Sequence, residues 1–135
     1  MRTPSVCIVG PGVVGQATGK VLVEKGIRVG FLGIVKDQIE NLRKEGYNAF
    51  TKDEIFNGNY DFDITMFTVP TLTVNGRIDL SVLEQVSIDL GKHLKHVRKY
   101  HLVVVKSTVL PGTTENLVIP ILEKYSGKKV GKDFG

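Results

Sequence analysis

Val6-Cys7-Ile8-Val9-Gly10-Pro11-Gly12-Val13-Val14-Gly15 decides how the rest of the chain is read. Four apolar residues in a row suit a fully buried strand, and the glycines of Gly10-x-Gly12-x-x-Gly15 follow at once. An apolar pattern at helical spacing begins next, with Val14, Ala17, Val21 and Leu22 expected on the inner face of a helix. In a strand–turn–helix of this kind the first glycine allows the tight turn and the second lets the backbone approach a pyrophosphate. The third lets helix and strand pack without an intervening side chain. Unpaired N–H groups and the dipole at the helix N-terminus favour an anion there. The stretch is therefore read as a dinucleotide site built on Gly10, Gly12, Val13, Val14 and Gly15.

Beyond this start, strands and helices alternate. Gly26 stops the first helix, residues 28–32 read as a second strand, and residues 36–45 as a helix with Ile39 and Leu42 inward, closed by Gly46. Residues 47–50 suit a short third strand, and Asn57-Gly58-Asn59-Tyr60 a turn. Residues 63–69 form a fourth strand ended by Pro70, and Asn75-Gly76 is a turn. Asp79 is placed as the N-cap of a long helix with Leu80, Leu83, Leu90, Leu94 and Val97 on its inner face. Residues 102–105 are the fifth strand. A helix then runs from Thr113 or Thr114 to about Tyr125, with Leu117, Val118, Ile121 and Leu122 facing the sheet and Pro120 kinking it. A last short strand is expected near residues 130–134.

This alternation predicts an α/β fold: a doubly wound, mainly parallel Rossmann sheet in the order 3-2-1-4-5, with helices on both faces. In that order ligands bind outside the carboxyl ends of the strands, where the chain changes direction across the sheet. Residues 10–15, 68–71 and 107–108 all converge on that edge.

Composition narrows the class. The 135 residues suit one domain, 1–135, with 41% hydrophobic and 24% charged residues. No apolar run approaches the roughly 20 residues of a membrane span, and Pro4-Ser5 leads straight into a strand, so neither a membrane partner nor a leader is expected and a cytoplasmic location follows by default. Cys7, the one cysteine, sits mid-strand and reads as buried and inert. Much of the net charge of +4 comes from residues 92–101, read as a solvated helix end and not a nucleic-acid surface. His93 and His96 have a spacing that could hold a metal, but without Cys, Asp or Glu near them they read as surface residues, and no metal is expected. The run Gly15-Gln16-Ala17-Thr18-Gly19-Lys20-Val21 falls one spacer residue short of a P-loop and has Val21 where a metal-binding hydroxyl is needed; Gly19 reads as a close-packing residue of the first helix.

Three segments together resemble the N-terminal domain of the UDP-glucose/GDP-mannose dehydrogenase family. They are the glycine stretch; Val69-Pro70-Thr71-Leu72 followed by Asn75-Gly76-Arg77-Ile78-Asp79-Leu80-Ser81; and Lys106-Ser107-Thr108-Val109-Leu110-Pro111-Gly112-Thr113-Thr114. Pro120 and Gly131-Lys132-Asp133-Phe134 also fit. The resemblance implies an enzyme that oxidises the C6 alcohol of a nucleotide sugar to a carboxylate, reducing two NAD and holding the intermediate as a thioester on a cysteine. It implies that Val69, Pro70, Thr71, Ser107 and Thr108 lie beside the cofactor and that Thr108 positions the catalytic water. A hydroxyl at a strand end can orient water without titrating; Ser107 and Thr108 could equally cap a turn before Pro111.

Three departures from the family pattern stand out. At the end of strand two, where the family carries an acid for the adenosine ribose, the chain reads Phe31-Leu32-Gly33, which puts Leu32 in the acid's place. A lost charge-assisted hydrogen bond weakens binding by about 1.5–3 kcal/mol. Weakened or altered NAD binding is expected, with Asp37 or a water as substitute, or Lys36 pairing with the extra phosphate of NADP. The stretch between helix two and strand four is shorter than usual, so part of the site wall is expected to be missing. The family's catalytic cysteine, lysine and glutamate and its sugar-binding domain lie beyond a point such as Gly135. The chain is thus expected to be the N-terminal part of a longer dehydrogenase, or a truncated relative, without turnover on its own. Oligomerisation would run through the absent middle domain, leaving the fragment a monomer. The competing readings are a stand-alone nucleotide-sensing module without catalysis, and the cofactor domain of a 2-hydroxyacid or beta-hydroxyacid dehydrogenase. The segment 106–114 argues against the latter.

Overall fold

Five strands pair in parallel in the computed structural model, which describes residues 3–56, 61–107 and 109–135. The chain runs β1 (Val6–Val9), α1 (Val13–Glu24), β2 (Val29–Gly33), α2 (Lys36–Lys44), β3 (Asn48–Thr51) and the short α3 (Lys52–Phe56). It continues through β4 (Ile64–Phe67), β5 (Thr73–Val74), β6 (Arg77–Ile78), α4 (Ser81–Leu94), β7 (Leu102–Val105) and α5 (Ile119–Ser126). The large sheet has the order β3-β2-β1-β4-β7, the doubly wound topology expected. Register places Val9 beside Leu32 on one side and Phe67 on the other. The turn expected at residues 57–60 lies outside the described residues.

Alternation along β1 divides its side chains between two cores. Val6 and Ile8 join Val29, Phe31, Ile39, Leu42 and Ala49 on one face of the sheet, under α1 and α2. Cys7 and Val9 join Phe67, Leu83, Leu90, Leu94, Val118 and Leu122 on the other, under α4 and α5. Cys7 is fully buried, as its place mid-strand predicts. Phe31 and Phe67 are fully buried as well, each contributing roughly 1.5–3 kcal/mol through apolar burial.

The inner face of α1 differs from the one its apolar pattern predicts. Val14 and Val21 are half exposed and Ala17 is exposed, whereas Gly15 and Gly19 are the buried residues of the helix. The reason is the depth of the contact. A Cβ on Gly19 would stand 2.4 Å from the Phe31 ring, so the helix backbone itself rests on the aromatic side chain. Only Leu22 of the expected set packs on the core.

Other boundaries moved for local reasons. β3 starts one residue later than expected, and α3 follows it without a break. Asn75-Gly76 closes a two-stranded antiparallel hairpin, β5–β6, with positive φ at both turn residues. Helix α4 begins at Ser81, with Leu80 as its flanking residue, yet the Asp79 carboxylate accepts a hydrogen bond from the Ser81 N–H at 2.9 Å. That bond holds the Asp79 carboxyl below its usual pKa. The expected proline kink takes the form of a π-helical turn, Thr114–Val118, immediately before Ile119 and Pro120. A proline ring crowds the carbonyl four residues back and has no N–H to bond it, and a widened turn relieves both. Residues 130–134 make isolated bridges rather than a strand, because Gly131 turns the chain at φ +84°. Only the start of the basic run is helical: α4 ends at Leu94, and Lys99 pairs with Asp61 at 3.2 Å and Asp63 at 2.8 Å, far from the carboxyl edge of the sheet. His93 is half-buried, not a surface residue, while His96 is exposed.

Candidate functional site

At the carboxyl ends of β1, β2 and β4 the chain leaves a cleft of about 930 Å³. One wall is the glycine turn, with Gly10, Pro11, Gly12, Val13 and Val14. A second is the end of β2, its following loop and the first turn of α2, with Leu32, Gly33, Ile34, Val35 and Gln38. The third runs from Thr68 through Leu72 to Ser107 and along α4 from Ser81 to Leu90.

Gly10 makes the turn possible. Its φ is +96°, and a Cβ there would meet the backbone of Val69 at 2.8 Å, so only glycine allows the strand to turn this tightly against β4. At Gly12 the opposite holds: a Cβ would meet nothing within 4 Å, which leaves an open cradle in front of α1. Among the described residues no side chain caps that helix, and no acid stands in its first turn. The unpaired N–H groups of a first turn face such a space, and the helix dipole favours an anion in it. Among the described residues that line the cleft the only carboxylate is Asp89, which is paired with Lys52 at 3.0 Å and bonded by Gln85 at 3.1 Å. The cradle is thus open, positively polarised and free of competing negative charge, which fits a dinucleotide pyrophosphate.

The residues expected from sequence come together with two exceptions. Gly10, Gly12, Val13, Val14, Leu32, Val69, Pro70, Thr71 and Ser107 all line the cleft. Gly15 lies beneath it, buried, where a Cβ would stand 2.4 Å from the Gly10 carbonyl oxygen and 2.6 Å from Thr68 Oγ1. Thr108, the expected water-positioning residue, lies outside the described residues.

Two hydroxyls clasp the site. Thr68 Oγ1 donates to the carbonyls of Gly10 at 2.8 Å and Val9 at 3.1 Å, which locks β4 to the glycine turn. Ser107 Oγ donates to Val69 at 2.9 Å, which fixes the 69–71 turn from the end of β7; this is a bond across 38 residues, not a local turn cap. The sequence places Thr68 in the 68–71 stretch that meets at this edge, but nothing in its neighbours marks its role as a clasp. Sequence reasoning also missed the α4 wall, for which a signal existed: Ser81, Gln85 and Asp89 recur every four residues and form one polar stripe facing the cleft.

The ribose end requires a correction. β2 runs one residue further than expected, so its tip is Gly33 and not Leu32. Leu32 lines the cleft, but it is only 6% exposed and packs in the core with Val9 and Phe67. Asp37, the expected substitute acid, is exposed and absent from the cleft wall; Gln38 is there instead. Among the described residues, no three His, Cys, Asp or Glu side chains gather as a metal site would need, and no helix is long and apolar enough to cross a membrane.

The model of the UDP-glucose/GDP-mannose dehydrogenase family, NAD binding domain, matches residues 47–135. GDP-mannose 6-dehydrogenase of Pseudomonas putida is 35% identical across 96% of this chain, which covers 34% of that protein. Its alignment runs over 149 positions, more than the 135 residues here, so that protein carries residues this chain lacks. UDP-glucose 6-dehydrogenase of Haloferax volcanii is 31% identical over 92% of the chain and 33% of its own length. A ternary complex of GDP-mannose dehydrogenase from Pseudomonas aeruginosa superposes with a TM-score of 0.87 at 31% identity, over 96% of this chain and 34% of that one. The chain therefore spans about a third of the length of these relatives. With the cleft and its glycine cradle, the match identifies the chain as a member of the UDP-glucose/GDP-mannose dehydrogenase family, corresponding to its NAD-binding domain.

Proposed function

We propose that residues 1–135 form a single domain that holds NAD as the N-terminal part of a nucleotide-sugar 6-dehydrogenase, which oxidises the C6 alcohol of a UDP-glucose- or GDP-mannose-type substrate to a carboxylate. The observation that carries this reading is the meeting of three separate stretches, at Gly10–Gly12, Thr68–Thr71 and Ser107, around one open anion cradle. When bound, NAD would accept hydride from C6, twice for each alcohol taken to a carboxylate.

The residues divide the work of holding it. The first turn of α1 binds the pyrophosphate with Gly12 giving it room, and Gly10, Val13 and Val14 shape the cradle. The Thr68 clasp keeps that turn at a fixed distance from the 69–71 turn, where Val69, Pro70 and Thr71 sit beside the reactive half of the cofactor. Ser107 braces them, and Thr108 orients the water that completes the second oxidation. Cys7 is fully buried inside β1 and no other cysteine exists in the chain, so a thioester-forming nucleophile must come from outside these residues. The nucleotide sugar and the subunit contacts belong with that remaining part of the enzyme, in a cytoplasmic setting that feeds polysaccharide synthesis.

Calorimetric titration of the chain with NAD tests the reading. Saturable one-to-one binding is expected, and no heat with NAD, NADP or ADP-ribose overturns it. A turnover assay with GDP-mannose or UDP-glucose and NAD should yield no NADH from this chain alone; robust NADH would refute the assignment of the nucleophile elsewhere.

A further inference from the structure

In dinucleotide folds of this type, a carboxylate near the tip of the second strand accepts hydrogen bonds from the adenosine ribose. Here the tip is Gly33, and Pro11 stands against it. A Cβ built on Gly33 comes within 2.9 Å of both Cγ and Cδ of Pro11. Pro11 is buried and its ring is locked to its own backbone, so those atoms cannot swing aside. The middle residue of the Gly10-Pro11-Gly12 turn therefore excludes every side chain, an acid included, from the tip of β2.

Among the described residues nearby, none restores the charge. Leu32 is packed in the core, Ile34 and Val35 are apolar, and Asp37 does not line the cleft. Asp89, on the opposite wall, is held by Lys52. What the first turn of α2 offers is Gln38, whose neutral amide can accept from a hydroxyl or donate to a phosphate oxygen. Lys36, between Val35 and the cleft-lining Gln38, has a side chain 84% exposed, and its Glu40 partner is as far as 4.0 Å away.

We propose that the Pro11–Gly33 contact is a specificity element that removes discrimination at the adenosine 2′ position, so that a 2′-hydroxyl and a 2′-phosphate are taken alike. The inference rests on the cofactor reading above. A carboxylate at the tip would attract the hydroxyl and repel the phosphate; its exclusion takes away both effects.

Isothermal titration of the whole chain with NAD, NADP and ADP-ribose is the first test. NAD and NADP are expected to bind within about threefold of each other, since the charge-assisted bond that would separate them by about tenfold or more is missing. A preference for NAD above about tenfold overturns the proposal, whereas failure of all three ligands to bind overturns the cofactor reading itself. The second test reads the steric coupling. Gly33→Ala should lower Tm by several degrees, on the order of 4 °C, with Pro11 in place and by much less alongside Pro11→Ala; equal losses in both backgrounds refute the block. The double variant Pro11→Ala, Gly33→Asp should then prefer NAD over NADP by about tenfold or more. A folded double variant that still takes both alike, or Gly33→Asp alone gaining the preference with its Tm unchanged, overturns the proposal.

Discussion

The Thr68 hydroxyl donates to the carbonyl of Gly10 at 2.8 Å, and so ties the end of β4 to the turn that opens α1. Thr68→Val keeps the side chain's shape but removes the donor. The Gly10 and Val9 carbonyls, which also accept from the Gly12 and Thr68 N–H groups, each lose one partner. Urea denaturation should show a loss of about 1 kcal/mol. Because the cradle is then free to drift from the 69–71 turn, NAD affinity should fall severalfold in the same protein. Unchanged stability and affinity would mean that the clasp positions nothing.

Gly12 and Gly15 separate room for a ligand from room for the fold. Gly15→Ala places a methyl 2.4 Å from the Gly10 carbonyl oxygen, and overpacking of this kind costs about 1–3 kcal/mol. Gly12→Ala enters open space, so the melting temperature should stay near that of the parent while NAD binding weakens by about tenfold, as the methyl takes up cradle volume. Thermal melts and titrations on the two variants check the contrast, and a reversed pattern would remove the cradle from Gly12.

Leu32→Asp is the change that the sequence alone invites, and the structure argues against it. The Leu32 side chain is 6% exposed among Val9 and Phe67, so a carboxylate there is buried without a partner. A loss of about 3 kcal/mol or more is expected on chemical denaturation, with no gain in NAD affinity. Tighter NAD binding by a variant that melts like its parent would return the ribose contact to position 32.

His101 makes stability depend on pH. Burial, the largest cause, pushes its pKa down to about 4, against the raising effect of a backbone hydrogen bond with Phe62. Its Nε2 lies 2.7 Å from the Thr65 hydroxyl, His93 and Lys99 lower the value further, and Asp63 raises it. Between pH 6.5 and about 4 the unfolded chain binds a proton that the folded chain refuses. Stability is thus full above pH 6.5 and falls through that window, by about 3 kcal/mol at most. His101→Gln should flatten the fall. Denaturation midpoints at pH 7.5 and 4.5, compared between parent and variant, cancel the carboxylates common to both. Identical losses in the two proteins would clear His101 of the effect.

Strand order, helix alternation and the edge on which the site lies were legible before any coordinates, because periodicity and glycine spacing are local properties of the chain. Val6–Val9 reads as a buried strand, and the glycine spacing from Gly10 to Gly15 as the turn that leads it into a helix. The convergence of residues 68–71 and 107 on that turn followed from right-handed parallel crossovers. Thr68 and the α4 stripe were not legible in the same way, since their meaning depends on a partner some 58 residues away for Thr68, and on which side of α4 meets the cleft.

Two matters were decided by tertiary structure. Apolar spacing put Val14, Ala17 and Val21 inside, yet all three are exposed, because α1 rests on the close-packing glycines so tightly that the Phe31 ring leaves no room for a Cβ at Gly19 and the Gly10 carbonyl none at Gly15. The tip of β2 is Gly33 because the Leu32 carbonyl is already engaged by the Gly10 N–H, which draws the strand one residue past the point where its apolar run ends. The sequence by itself determined that this chain has a dinucleotide cradle. The contact of Pro11 with Gly33, between residues far apart in the chain, decided what the other end of that cradle can read.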